Sequence, residues 1–521
     1  MTGSILQLVA YGIEDIFLTN DPQITYFKVV YKRHTNFSRE EIRQNFIQRP
    51  DFNTQVSATI SKNGDLMEKT YLVINLPPIP PIRSINDEIT KVAWVRYPGY
   101  SLINTISIEI NGRQICKHYG EWMMLWNEMF NINATLPSFK KMIGDVSELT
   151  DFTDGKSSYR IYIPLQFWFC RSSANALPLV SLQYSDVKIN VSFKPWSECI
   201  IFSPSHYIIC SDNITGFYDN EYIEQNVDGN IVYGIFRSFD CYSKKLYYTL
   251  LSSSNFKTIP SNSNNNSKYK IIGMTSKFEV TPAVQNTNSI IINPASYKYN
   301  KIKTLILGDT YLLVNYIFID EDERLQISQT KQDYIIEQLY YTNYNQVIGP
   351  SETIKVNIDN PCKFIVWVLQ QKYLYDALDY YNYTNTPRHK ISKDTDITSQ
   401  IYNIGDPMPV FDKSLALNQT ILFNQKERLS YRDGKYFKYN QIYEKCVNAP
   451  PVGTNCYFFS INPNTLQHSG TCNMSKIETI EIKMSINPVL STNNIGLFRA
   501  YAETYNILRI SYGLGAVLFD N

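Results

Sequence analysis

Ile106-Ser107-Ile108-Glu109-Ile110-Asn111-Gly112 is the stretch on which the fold turns. Its apolar residues recur at every second position, which in an extended chain puts them all on one face. Asn-Gly follows at once. A two-residue hairpin turn of type I′ needs positive φ at both of its positions, and this dipeptide adopts that most readily. The pattern predicts a half-buried strand running into a tight hairpin. Val187-Lys188-Ile189-Asn190-Val191-Ser192-Phe193 repeats the alternation, and so does Ile480-Glu481-Ile482-Lys483-Met484. Asn63-Gly64 and Asp433-Gly434 repeat the turn signal and predict further hairpins. Short alternating runs parted by turn residues describe an all-β chain.

Composition agrees with this reading. The 521 residues allow three or four units of ~150 residues, or two β units of ~200–250. Charge is balanced, with 49 basic and 48 acidic residues, which argues against a protein that grips nucleic acid through phosphate neutralisation. A hydrophobic content of 44% is enough to bury a large core. Tyr (40) and Asn (48) are both abundant. The first suits strands and the second turns, although A- and T-rich codons favour the same residues. Apolar runs such as Phe364-Ile365-Val366-Trp367-Val368-Leu369 fall short of the ~18–20 residues of a membrane span. The N-terminus lacks a basic start and a small-residue cleavage site, so no signal peptide is expected. The nine cysteines are odd in number and loosely spaced, as reduced thiols would be.

Two helices are predicted. Trp122, Trp126 and Phe130 recur at four-residue spacing and mark a helix over 119–130. Ser38-Arg39-Glu40-Glu41 reads as a capping box opening a short helix, or equally as the first strand of a sandwich. Residues 197–304 carry 13 Asn, including the run Ser261-Asn262-Ser263-Asn264-Asn265-Asn266-Ser267. This segment reads as a large loop insertion with strand-like pieces, leaving 413 residues for two sandwiches of ~200 each. Ile103-Asn104-Thr105-Ile106-Ser107-Ile108 echoes Ile477-Glu478-Thr479-Ile480-Glu481-Ile482, a faint sign of two similar units.

Chemistry is sparse. Cys199, His206 and Cys210 fall close together, but no CxxC pair completes a zinc site. In Cys116-Lys117-His118 a thiol–imidazole dyad is conceivable. No third group is evident, and opposite strand faces would part the pair. Asp320-Glu321-Asp322-Glu323 lacks the ligand spacing and central Gly of a calcium loop and reads as a solvated turn. Gly513-Leu514-Gly515 opens no phosphate-binding helix. No catalytic, cofactor-binding or metal-binding residues are assigned, and no cofactor is expected. Sequons at Asn213, Asn265 and Asn382 are the possible glycosylation positions. Lys28, Lys32, Arg33, Arg39, Arg43 and Arg49 make 28–49 locally basic.

The opening Leu6-Gln7-Leu8-Val9-Ala10-Tyr11-Gly12, with Pro22-Gln23-Ile24-Thr25-Tyr26-Phe27-Lys28-Val29-Val30-Tyr31-Lys32-Arg33-His34-Thr35-Asn36-Phe37, resembles that of the major capsid proteins of nucleocytoplasmic large DNA viruses. Five further blocks follow in family order. They are Ser61–Leu66; Ile163-Pro164-Leu165-Gln166-Phe167-Trp168-Phe169 with Ala176–Leu179 and Leu182–Tyr184; Tyr316–Asp320 through Leu339; Ser469–Ile477; and Tyr505–Ile510 through Phe519. Asn20-Asp21-Pro22 and Ser185-Asp186 depart from the usual residues at their positions.

The resemblance implies two tandem eight-stranded antiparallel jelly rolls, a double jelly roll with few short helices. It divides the chain into an arm (1–24), a first jelly roll (25–325, with the 197–304 insertion external) and a second (331–521). It turns Ser38–Phe46 into a strand, Asp320–Glu323 into an exposed linker, and Gly470-Thr471-Cys472 into a turn entering a strand. It implies a structural protein of the virion shell, made in the host cytoplasm or a viral factory. A homotrimeric, pseudo-hexagonal capsomer would contact neighbouring capsomers, minor capsid and penton proteins, and an internal membrane near its basic stretch, but no nucleic acid directly. The alternatives are a minor capsid paralogue of the same fold and a host-glycan-binding surface on the insertion.

Overall fold

The computed structural model describes residues 3–519 apart from 11, 81–90, 154, 204–205, 212–213, 215, 219–220, 241–243, 251–254, 262–265, 275, 285–289, 292–304, 377, 385–413, 489 and 493–494. The alternating runs form β1 (Phe37–Gln44), β2 (Gln55–Thr59), β3 (Leu66–Leu76), β4 (Ile103–Ile110), β5 (Arg113–Tyr119), β6 (Tyr159–Pro164), β7 (Val187–Phe193) and β8 (Thr310–Ile319). One sheet takes the order β1-β8-β3-β6 and its companion the order β2-β7-β4-β5. Every pairing is antiparallel.

The second half repeats the plan with β9 (Gln332–Val347), β10 (Ser351–Lys355), β11 (Pro361–Gln371), β12 (Ala416–Phe423), β13 (Lys426–Glu427), β14 (Thr454–Phe458), β15 (Ile480–Ile486) and β16 (Gly496–Ser511). Its sheets run β9-β16-β11-β14 and β10-β15-β12-β13. Raising each strand number of the first sandwich by eight reproduces the second. In each, first and last strands lie side by side and the chain crosses repeatedly between sheets, which is jelly-roll topology. The fold is a double jelly roll. The echo between Ile103–Ile108 and Ile477–Ile482 is no trace of this duplication. The first segment lies in β4, whose counterpart is β12, and the second runs into β15, whose counterpart is β7. The two share only their alternation.

Asn111 (φ 53°) and Gly112 (φ 76°) form the predicted turn between β4 and β5. The other two dipeptides do not make such hairpins. Asn63-Gly64 joins β2 to β3, which belong to different sheets. Gly64 is needed there because a Cβ would come within 2.8 Å of Tyr316. Asp433-Gly434 follows a short pairing with β12 and leads into a helical turn. Ser38–Glu41 lies within β1, paired residue for residue with β8, so the strand prevails over the capping box.

The insertion is more ordered than a loop. Between β7 and β8, seven strands spanning His206 to Ile291 form a sheet of their own. That sheet has a separate core of Ile208, Ile223, Phe236, Leu246, Tyr248 and Phe256 among others. Ile200–Ser203 instead pairs with Lys91–Trp94 beside the first sandwich. The Asn262–Asn265 run lies outside the described residues. The predicted aromatic helix is α1 (Gly120–Phe130). The Asp320–Glu323 run does join the sandwiches, between β8 and β9, but as the start of a helix and not as a turn: Asp320 caps α2 (Glu321–Gln329) by accepting from the Glu321 amide, and three acidic residues in its first turn suit the positive end of a helix. Among the described residues, no helix is long and apolar enough to cross a membrane.

Candidate functional site: the buried seam between the sandwiches

α1 belongs to the first sandwich by sequence and packs on the second. It opens at Gly120, where a Cβ would collide with the carbonyls of Tyr100 and Ile103, so its first turn seats tightly on the first sandwich. Trp122 stacks on Phe364 at 6.1 Å and lies 5.6 Å from Tyr501. Phe130 meets Phe364 at 5.5 Å and Phe458 at 6.3 Å. Strand β11 is consequently buried on both faces. Phe364, Val366 and Val368 join the core shared with the first sandwich, while Ile365, Trp367 and Leu369 fill the second sandwich's own core. This explains its unbroken apolar run.

Two charge clusters cross the seam. In one, Arg171 from the first sandwich holds Glu503 of β16 through two bonds, of 2.7 and 3.0 Å. Lys363 of β11 reaches the same carboxylate at 3.0 Å. Both cations also contact Glu337 of β9. Burial alone would raise the Glu503 carboxyl, but Arg171 and Lys363 outweigh it and hold it down to about 2. In the other, Glu121 of α1 pairs with Arg499 of β16 at 2.6 and 2.8 Å. It also accepts hydroxyl protons from Tyr501 at 2.6 Å and Tyr383 at 2.7 Å. Arg499 donates to Gln370 as well. Burial pushes Glu121 up, and Arg499 with the two hydroxyls keeps it below the ordinary carboxylate range. Gln338 donates to the Ile115 carbonyl, Val447 to that of Met129, and Tyr184 to that of Gly513. Charges this completely paired, away from solvent, fix geometry. They leave no carboxylate poised to move a proton.

Sequence reasoning missed all six charged residues of these clusters. One signal was present: Lys363 interrupts an apolar strand, and a buried cation needs a partner.

The residues that the sequence singled out are dispersed. Cys116 and His118 are brought together, with Sγ 3.3 Å from Nε2. The expectation that they face apart was wrong, because residues two apart on a strand share a face. Both groups are held in their neutral forms. Burial pushes the thiol up to about 12 and, with Arg171 adding to it, the imidazole down to about 3. Cys199 sits in the first sandwich's core, whereas Cys210 sits in the insertion's core and His206 stacks on Tyr248 there. Gly513 forms a hairpin turn beside Tyr184. Asn382 is buried. Its amide donates to Asp379, and its carbonyl oxygen accepts from the Thr384 amide and hydroxyl, so in the folded chain the side chain is engaged within the second sandwich. Asn213 and Asn265 lie outside the described residues. Within the basic stretch, Arg43 donates two parallel hydrogen bonds to the Asp309 carboxylate, and Arg39 approaches Glu68 and Ser173. Lys28, Lys32 and Arg33 lie on the exposed stretch before β1.

Residues 25–229 match the family model described as major capsid protein N-terminus, and residues 323–516 match that of the large eukaryotic DNA virus major capsid protein. Over the full length of both chains, the protein is 38% identical to probable capsid protein 4 of Acanthamoeba polyphaga mimivirus. It is 28% identical, again over all of both, to the major capsid protein of Phaeocystis pouchetii virus. Two solved structures share the fold. The PBCV-1 virus capsid model has a TM-score of 0.62 at 22% identity, covering 95% of this chain and 100% of that one. The Faustovirus major capsid protein has a TM-score of 0.63 at 13% identity, covering 96% and 95%. With two jelly rolls locked by a seam of buried aromatic rings and paired charges, the chain belongs to the major capsid protein family of large eukaryotic DNA viruses, and it is a structural protein of the virion shell rather than an enzyme.

Proposed function

We propose that three copies of this chain associate into a pseudo-hexagonal capsomer that tiles an icosahedral shell. The observation that carries this is the repeated strand order, β1-β8-β3-β6 and β9-β16-β11-β14. Two like lobes in each copy, held rigidly by the seam, give a trimer six near-equivalent edges with which to contact neighbouring capsomers. The working division of the chain is an arm (1–24), a first jelly roll (25–325) and a second (331–521), with the insertion's sheet on the outward side.

The exposed stretch that leads into β1 supports an inward role. Tyr26, Phe27 and Tyr31 are almost fully exposed beside Lys28, Lys32 and Arg33. Apolar and basic side chains together suit a minor capsid protein or an anionic membrane beneath the shell. Light scattering on the purified protein at near-neutral pH tests the capsomer. A mass three times the 60.4 kDa of the chain is expected, and a strictly monomeric species at high concentration would overturn the reading.

A second reading is favoured by one finding. Two of the relatives are capsid proteins 1 and 4 of a single virus, Acanthamoeba polyphaga mimivirus. This chain would then be a scarcer paralogue in a mixed shell, and its copy number in purified particles separates the two readings.

A further inference from the structure

Cys362 and Cys472 are directly opposed across an antiparallel ladder, with Pro361 facing Asn473 one step away. Opposed residues project to the same face, and both thiols enter the core of the second sandwich. The Met474 amide donates to the Asn360 carbonyl at 3.1 Å. Hydrogen-bonded pairs alternate along such a ladder, so Cys362 and Cys472 form the next one, with Cα atoms about 5.5 Å apart. A disulfide spans Cα separations of roughly 4.4–6.8 Å. Both thiols are free. Cys362 is fully buried at the bulge where β11 shifts register against β16. Cys472 is half-buried and follows the Gly470 turn (φ 114°), which places it within reach of solvent.

We propose that Cys362 and Cys472 are a latent cross-strand disulfide, open in a reducing compartment and closed by a small-molecule disulfide oxidant. The Cys472 thiolate attacks one sulfur of oxidised glutathione, expels a glutathione thiolate and becomes a mixed disulfide. Cys362 then loses its proton to that thiolate and attacks the Cys472 sulfur, expelling the second glutathione. Two protein thiols are oxidised and one external disulfide is reduced to two thiols. Burial raises both Cys362 and Cys472 above the ordinary thiol range, so closure is slow at neutral pH and faster as pH rises. The bond would join β11, at the heart of the seam, to the loop that leads to β15. That it closes when a particle leaves its host rests on the shell reading; the chemistry does not.

The test uses the full-length chain and stands apart from assembly. The protein is equilibrated in glutathione buffers from fully reduced to fully oxidised, alkylated, digested and analysed by mass spectrometry. A peptide linking Cys362 to Cys472 is expected, with a melting temperature about 2–5 °C higher in the oxidised protein and no such rise in Cys472→Ala or in Cys362→Ala. Three outcomes would overturn the proposal: no linked peptide in the most oxidising buffer, glutathione retained on Cys472, or, in its place, a link between Cys446 and Cys456, two further free thiols in hydrogen-bond contact.

Discussion

Glu503 shows how a single residue can hold two sandwiches together. Its carboxylate is buried and shared by Arg171 from one and Lys363 from the other. Removing one member of a buried, paired cluster strands the opposite charges without solvent, which costs about 3–5 kcal/mol. Glu503→Ala is therefore expected to lower the denaturant midpoint strongly. Arg509→Ala, which breaks the solvent-exposed pair with Asp333, should leave it unchanged. His118 supplies a pH dependence. Burial, with Arg171 adding to it, lowers its imidazole from 6.5 to about 3. Below pH 6.5 the unfolded chain takes up a proton that the folded chain refuses, so stability falls with pH, at up to about 1.4 kcal/mol per unit, until the folded value is reached. Glu503 acts over a lower window. Its folded value is depressed from 4.5 to about 2, so its contribution is complete above pH 4.5 and is lost as pH falls toward 2. Urea titrations at stepped pH should show His118→Phe flattening the slope between pH 6.5 and 4.5 while the lower limb persists. Little of this was legible in the sequence. The alternation of Ile106–Ile110 reports a buried face, but nothing beside Arg171 in the chain announces partners on β9 and β16.

At the level of elements, the hairpin signals were only partly readable. Asn111-Gly112 turns as its residues predict. The equivalent hairpin of the second sandwich, between β12 and β13, turns at Asn424-Gln425 with φ of 49° and 64°. Position in the fold, not residue preference, imposes that conformation. A left-handed residue other than Gly costs roughly 1 kcal/mol, and Gln425 is exposed with no packing duty evident. Gln425→Gly is expected to stabilise the chain by about 1 kcal/mol, as a raised midpoint at constant urea dependence would show. The same logic explains the other misreadings. Ser38–Glu41 carries a local helix signal, yet β1 is fixed by pairing with β8 from the far end of the sandwich. In the 206–291 sheet the strand character of Asn230–Phe236 was legible, but its pairing with Tyr222–Val227 across the Asp228-Gly229 turn, and the gathering of seven strands into one sheet, were not.

For the whole molecule, the seam decides which surface is left for other copies. Near the end of α1 the two sandwiches leave apolar side chains uncovered: Ile132 from the first, with Tyr443, Val447 and Ile461 from the second. Their loops are tied to one another. Val447 donates to the Met129 carbonyl, Lys445 to that of Ile461 and Asn464 to that of Phe130. Large apolar groups gathered at a rigid junction are what a neighbouring copy in the proposed trimer would bury, with aromatic anchors contributing most. Tyr443 is the most exposed of them, at 88%, so the isolated fold makes little use of its ring. Tyr443→Asp combined with Ile461→Asp should therefore leave the melting transition of the single chain nearly unaltered. A charge forced into a packed interface would at the same time shift the light-scattering mass from trimer toward monomer. A trimer that survives both substitutions would place the contact elsewhere, whereas a variant that no longer folds would show these side chains to be supporting the seam itself. The paired measurement of mass and melting distinguishes the three cases.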